Sequence, residues 1–268
     1  MSDDLLRSHG PTHRDRYGTY TWKSERFRSV TTILGGTLPK PALVSWAAKC
    51  VAQHVAERAR ELEQKRIGGK ALLRELLDAD YLAKIPWQKR NAKADLGTCI
   101  HKVCEGVAAG ELVNPKMFGA LEGYVAAFLA WIEQMRPEYV AIEAEVFNRE
   151  YGYAGTLDSI VRVGGRTLIM DYKTSADTYP DHSLQLAAYR HAQFMVVGDR
   201  EIPMPATDGG AILLVHPSGC RLYEWDCGEE EFALFRSLIP IERWMKLKRE
   251  ARLIGTSAAA TAQLQEVA

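Results

Sequence analysis

The chain has 268 residues, 47% of them hydrophobic, enough to bury a substantial core in one large domain or two small ones. Its 34 basic and 34 acidic residues cancel, which excludes a protein coated in positive charge but still permits a local basic groove for a phosphate backbone. The five cysteines, Cys50, Cys99, Cys104, Cys220 and Cys227, form no CxxC pair and point to neither a disulfide framework nor a zinc ribbon; with no signal-peptide core and no run of ~18 apolar residues, a cytoplasmic protein with no membrane partner is expected.

Residues 1–16 are polar and expected to be mobile. Tyr17 to Trp22 and Phe27 to Leu34 carry β-branched and aromatic residues and predict one or two short strands or an extended lead-in. Pro41 suits a first helical turn, and the spacing of Leu43, Ala47, Cys50, Val51, Val55 and Leu62 predicts an amphipathic helix from Ala42 to about Lys65. Gly68-Gly69 should end it, and a shorter helix over Leu72 to Leu82 should stop before Pro86. The basic stretch Trp87 to Lys93 reads first as a solvated helix face and second as a DNA contact.

Residues 89–109 predict the next helix, with Gly97, His101 and Glu105 on one face. A lone helical histidine is usually structural, but an interior helical glycine costs ~1 kcal/mol relative to alanine and suggests a close approach. Asn114-Pro115 caps a helix to about Met135 whose stripe, Phe118, Leu121, Val125, Phe128, Leu129 and Ile132, is core. Tyr139 to Asn148 alternates as a strand, placing Glu143 and Glu145 opposite its aliphatic face.

Leu157 to Val163 and Arg166 to Lys173 alternate around Gly164-Gly165, the composition of a two-residue hairpin turn. Counting outward from Val163 opposite Arg166 brings Asp158 opposite Asp171, with Lys173 on the same face. Two carboxylates facing each other repel unless a positive charge lies between them. Two hard oxygen ligands and an ammonium suit Mg²⁺-assisted phosphodiester hydrolysis; the plainer reading is a surface charge cluster on an exposed hairpin.

Beyond it, Pro180 to about Met195 predicts a helix with Gln185 and Tyr189 one turn apart. Ala211 to His216 and Cys220 to Asp226 predict a second hairpin. The last helix, from Glu229 to about Leu253, is expected to be interrupted or kinked near Pro240, before a frayed tail from Thr256.

In this order, Gly97-Thr-x-x-His101, Glu145, Gly155-Thr-Leu-Asp158, Asp171-Tyr-Lys173 and Gln185-x-x-x-Tyr189 resemble the PD-(D/E)XK nuclease superfamily, specifically its RecB-like branch with phage recombination exonucleases and CRISPR-adaptation nucleases. The resemblance is close over roughly Leu96 to Gln193 and looser before it. It implies an α/β (α+β) fold with a central mixed β-sheet carrying the catalytic hairpin, flanked by helices. Residues 1–95 would be a helical N-terminal elaboration over a DNA groove, 96–254 the nuclease core and 255–268 a mobile tail.

The same resemblance implies Asp158, Asp171, the Tyr172 carbonyl and His101 as ligands of Mg²⁺ or Mn²⁺, and Glu145 as a ligand of a second metal or an orienter of water. Lys173 would activate water and stabilise the transition state, while Gln185 and Tyr189 would position the lysine and the DNA. Lys89, Arg90 and Lys93 could line the groove. The implied activity is a divalent-metal-dependent DNA exonuclease acting on linear ends or single strands in phage or bacterial recombination, with a recombinase or single-strand-annealing protein as a partner. A structure- or sequence-specific endonuclease and a non-catalytic DNA-binding protein are the alternatives. Asp171 stands where many members have Glu. Only Cys220 and Cys227 lie beyond Gln193, where related CRISPR-associated nucleases have three cluster-binding cysteines, so no iron–sulfur cluster is expected.

Overall fold

The computed structural model of the protein describes residues 5–7, 12–65 and 78–247. The expectations for Gly68-Gly69, for 72–77 and for everything beyond Leu247 lie outside them. Among the described residues, one mixed sheet contains β1 (Leu6–Arg7), β2 (His13–Arg14), β3 (Thr19–Trp22), β4 (Glu25–Ser29), β5 (Glu138–Asn148), β6 (Tyr153–Val163), β7 (Arg166–Lys173), β8 (Phe194–Val197), β9 (Arg200–Pro203), β10 (Gly209–His216) and β11 (Gly219–Trp225). The helices are α1 (Val30–Thr37), α2 (Pro41–Lys65), α3 (Ala79–Ala108), α4 (Glu122–Met135), α5 (Pro180–Arg190) and α6 (Glu229–Lys246), with a 3-10 segment, Pro115–Leu121, before α4.

Gly164 and Gly165 both take positive φ, 59° and 77°, as a type I′ turn requires, and Val163 pairs with Arg166 as the count predicted. Across the sheet the strands run β11-β10-β7-β6-β4-β3-β2, while β5 lies along the other edge of β6 and is itself flanked by β1 and β8. The pairs β7–β10, β4–β6 and β1–β5 are parallel and the others antiparallel. This is the expected mixed sheet flanked by helices.

Two apolar layers hold the sheet. On one face Leu157, Ile160, Ile169 and Ile212 pack with Val30 and Ile33 of α1, Leu186 of α5 and Phe235 of α6. On the other, Val161, Met170, Tyr172 and Leu213 pack with Ile100 and Cys104 of α3 and Phe128 and Trp131 of α4. Each layer excludes water from one side of the hairpin, so the polar groups at its open end are fixed by a rigid support.

Several elements differ from expectation. Val30 to Leu34 is helical despite its β-branched residues, because the Ser29 hydroxyl caps Thr32 N–H and the helix buries Val30, Ile33 and Leu34. Strands β1 to β4 and α1 thus join the sheet and its core, where residues 1–16 were expected to be mobile and 1–95 helical. Helix α3 does not stop before Pro86 but runs through it, capped at Asp78 and buried at Ile85; packing against α2, with Tyr81 hydroxyl 3.4 Å from His54 Nε2, outweighs the lost hydrogen bond. The helix expected from Asn114 begins as a 3-10 turn broken at Gly119, where φ is 53°. Helix α5 ends at Arg190, since Phe194–Val197 pairs with β5 instead. Helix α6 carries Pro240 inside a continuous span.

Candidate active site

Strand β6 has two neighbours in succession along one edge. Ser159 to Val163 pair with β7, and Tyr153 and Ala154 pair with β4. Gly155-Thr-Leu-Asp158 therefore spans a fork in the sheet. The β6–β7 ladder ends at Ser159–Met170, one pair short of Asp158 and Asp171. The side-chain alternation slips there, because Leu157 and Ile160, three residues apart, enter the same core layer. Asp158 is not a rung opposite Asp171: its Oδ2 accepts the Tyr172 N–H at 2.6 Å, replacing a backbone carbonyl.

Strand β7 continues past the fork, held by β10 at Ile212 to Leu214. Asp171 is only 2% exposed. Its Oδ1 accepts from Gln185 Nε2 at 3.0 Å, and its Oδ2 forms an ion pair with Lys173 Nζ. Gln185 Nε2 also donates to the Tyr189 hydroxyl at 3.2 Å. The Tyr189 ring covers Gly155 so closely that a Cβ there would meet Cε1 at 2.5 Å. The glycine of Gly155-Thr-Leu-Asp158 is thus a packing requirement, and Gln185 and Tyr189 set the position of β7 relative to β6.

From the other layer, α3 brings His101 Nδ1 to 3.3 Å from Asp158 Oδ2 and sets its ring edge-on to Tyr172. The structure therefore brings together Asp158, Asp171, Lys173, His101, Gln185 and Tyr189. A Cβ at Gly97 would lie 3.4 Å from Thr174 Oγ1, an ordinary contact. The close approach that Gly97 suggested is not made by the chain itself.

Burial pushes the Asp171 carboxyl up to about 6 against the pull of Lys173, and the Asp158 charge adds to the rise. Burial also raises Asp158, but the His101 hydrogen bond, with the His101 and Lys173 charges, outweighs it and holds that carboxyl below the usual range. Lys173 is held above the ordinary lysine value: burial opposes its charge, and the two carboxylates more than restore it. His101 is raised in the same way, burial being overcome by Asp158. Two carboxylates in one site thus have different proton affinities.

Lys173, Asp158 and His101 open into a cleft of about 600 Å³. Glu143 lines this cleft and Glu145 does not. Glu145 stands opposite Thr156 in the β5–β6 ladder, and burial raises its carboxyl. Glu143 has φ 47°, a left-handed conformation unusual for Glu, and the β5–β6 ladder skips the pair it would make with Asp158. Strict alternation puts Glu143 and Glu145 on one face and offers no signal of the distortion that separates them, so Glu145 alone is a candidate from the sequence. Of the basic candidates, Lys93 lines the cleft; Lys89 and Arg90 do not, Arg90 lying 4.0 Å from the Trp87 ring centroid. Arg14 and Lys102 line it and were not anticipated.

The donors around the fork are carboxylate oxygens and one imidazole, the hard set that suits Mg²⁺ or Mn²⁺. Buried Asp171 Oδ2 has no hydrogen bond of regular geometry and is met only by the Lys173 ammonium, so it fits an oxygen ligand. Among the described residues no three His, Cys, Asp or Glu side chains converge as a ready metal cage; Asp171 is turned toward Lys173 and Gln185.

Residues 114–214 match the model of the PD-(D/E)XK nuclease superfamily. The matched region contains Asp158, Asp171, Lys173, Gln185 and Tyr189, while His101 precedes it. The match points to a metal-dependent nuclease, a phosphodiester hydrolase with DNA as its substrate class and divalent metal, typically Mg²⁺ or Mn²⁺, as its cofactor. No curated protein sequence matches the chain. Among solved structures, the crystal structure of SSO0001 aligns with 76% of this chain and 87% of its own, at 13% identity and a TM-score of 0.30. Among the described residues no helix is long and apolar enough to cross a membrane.

Proposed function

We propose that the protein is a Mg²⁺- or Mn²⁺-dependent DNA exonuclease of the RecB-like kind, acting in recombination or DNA processing. The observation that carries this reading is the meeting of Asp158, Asp171, Lys173 and His101 at the sheet fork, open to one cleft. Asp158, Asp171, the Tyr172 carbonyl and His101 would hold the ion. When bound, the metal polarises the scissile phosphate and lowers the pKa of water.

The chain's own groups account for the rest. Lys173 carries a cation at the cleft floor, where it can orient the attacking water and offset charge developing on the phosphoryl oxygens. Gln185 fixes the orientation of Asp171, and through Tyr189 links it to Gly155 on β6. His101, 3.3 Å from Asp158 Oδ2, keeps Asp158 ionised. Glu143, rather than Glu145, is the acidic group placed to contact water or a second cation in the cleft. Linear and circular DNA, each supplied with Mg²⁺, test the reading: degradation of the linear form alone is expected, and nicking of circles at a comparable rate would assign an endonuclease.

A further inference from the structure

We propose that the outer face of α3 is a track for a single-stranded DNA tail, ending in a stacking platform at Trp87. This deepens the nuclease reading and rests on it. Trp87, Arg90, Ala94, Gly97 and His101 recur at intervals of three and four residues and so share one helix face. At ~1.5 Å per residue, Trp87 lies about 21 Å along the axis from His101. The opposite face packs on α2, where Tyr81 meets His54 and Ile85 is buried. The track is therefore the side of α3 turned away from its partner helix, and its lower end lines the active-site cleft at Ala94, Gly97 and His101.

Three features favour a single strand as the occupant. Trp87 is 58% exposed and Arg90 lies 4.0 Å from its ring centroid, an aromatic plane beside a cation with no apolar core behind it. Such pairs stack unpaired bases, which a duplex keeps buried in its own stack. Between platform and fork the cleft-lining residues of the track, Ala94, Gly97 and Thr98, are small and leave room for a backbone running along the helix, and Lys93, 5.9 Å from the Trp46 ring centroid, and Lys102 flank it for phosphates. At the ~3.4 Å rise of a fully stacked strand about six nucleotides would cover the track, and a strand unstacked to meet Trp87 is more extended and needs fewer.

The length dependence provides the test. With Mn²⁺ present, kcat/KM is measured for single strands of roughly 3 and roughly 14 nucleotides, the first too short to reach Trp87 from the fork, and for a blunt duplex of the longer length. Trp87→Ala should lower kcat/KM on the long strand about tenfold, the effect of losing one base–aromatic stack, and leave the short strand within about twofold. Trp87→Phe should restore most of the loss, because a ring is retained. Trp244→Ala, an exposed tryptophan on α6 in the other helical layer, should change neither. An unchanged long-strand value in Trp87→Ala, an equal loss on both lengths, or an equal loss on the duplex would overturn the track. Wild-type protein that cuts none of the three substrates would instead overturn the nuclease reading beneath it.

Discussion

At the sheet fork every functional group is held by another: Asp171 by Gln185 and Lys173, Asp158 by His101 and the Tyr172 N–H, and Tyr189 by its contact with Gly155. At the far end of the outer face of α3, Trp87, Arg90 and Ala94 are exposed and spaced by the helical repeat, with Arg90 set against the Trp87 ring. The difference follows what each region must do. Phosphoryl transfer depends on sub-ångström placement in a low-dielectric setting, whereas passing a strand of any sequence calls for contacts that tolerate sliding. Substitutions at the fork should therefore affect rate and stability together, and substitutions on α3 should separate them.

The largest effect is expected from Lys173→Ala, which should reduce cleavage by at least about 10²–10³-fold while DNA binding persists. Removing the ammonium also leaves Asp171 without its counter-ion, so Mn²⁺ should raise the melting temperature of this variant more than that of wild type; equal shifts would mean that the ammonium and the metal do not compete for Asp171. Next is the helix that carries Gln185. His182 Nδ1 accepts the Tyr179 N–H at 3.2 Å, and burial, with the Lys173 charge, depresses its pKa to about 4. A histidine depressed on folding contributes stability that is complete above its unfolded value near 6.5 and is lost as pH falls toward 4. The slope should amount to at most about 3 kcal/mol and vanish in His182→Gln, as denaturant titrations between pH 4 and 7 would show.

Gly155→Ala forces a Cβ onto the buried Tyr189 ring and should cost roughly 1–3 kcal/mol, with a parallel loss of activity. Chemical denaturation checks the first and steady-state cleavage the second; an unperturbed variant would show that β6 and α5 are not coupled there. The smallest effect belongs to Gly97→Ala on α3. With 3.4 Å to Thr174 Oγ1 there is room for the methyl group, so helix propensity should raise stability by up to about 1 kcal/mol. If DNA passes over Gly97, kcat/KM should fall even as stability rises, a split that no fork variant should display.

The turn and register of the hairpin were legible because two consecutive glycines with positive φ admit one geometry and period-two alternation continues from them. The fork was not legible. Nothing in Gly155-Thr-Leu-Asp158 announces that β4 replaces β7 along the same edge, since a strand's neighbours are chosen by distant segments. The separation of Glu143 from Glu145 was illegible for the same reason, as the left-handed backbone at Glu143 is not a local preference of its sequence. Pro86 and the β-branched start of α1 misled in the opposite direction, local preference yielding to packing on α2 and to burial of Val30 and Ile33.

The fork also has a consequence for synthesis. The edge of β6 is completed by Arg28 and Ser29 of β4 on one side of the gap, while β7 is closed on its far edge by Gly209 to Leu214 of β10. A nascent chain that has just emerged through Lys173 already contains both aspartates and the lysine but lacks the helix bearing Gln185 and the strand that closes β7. Such a chain lacks the partners that fix Asp171 until the residues up to Leu214, about forty beyond Lys173, have left the tunnel.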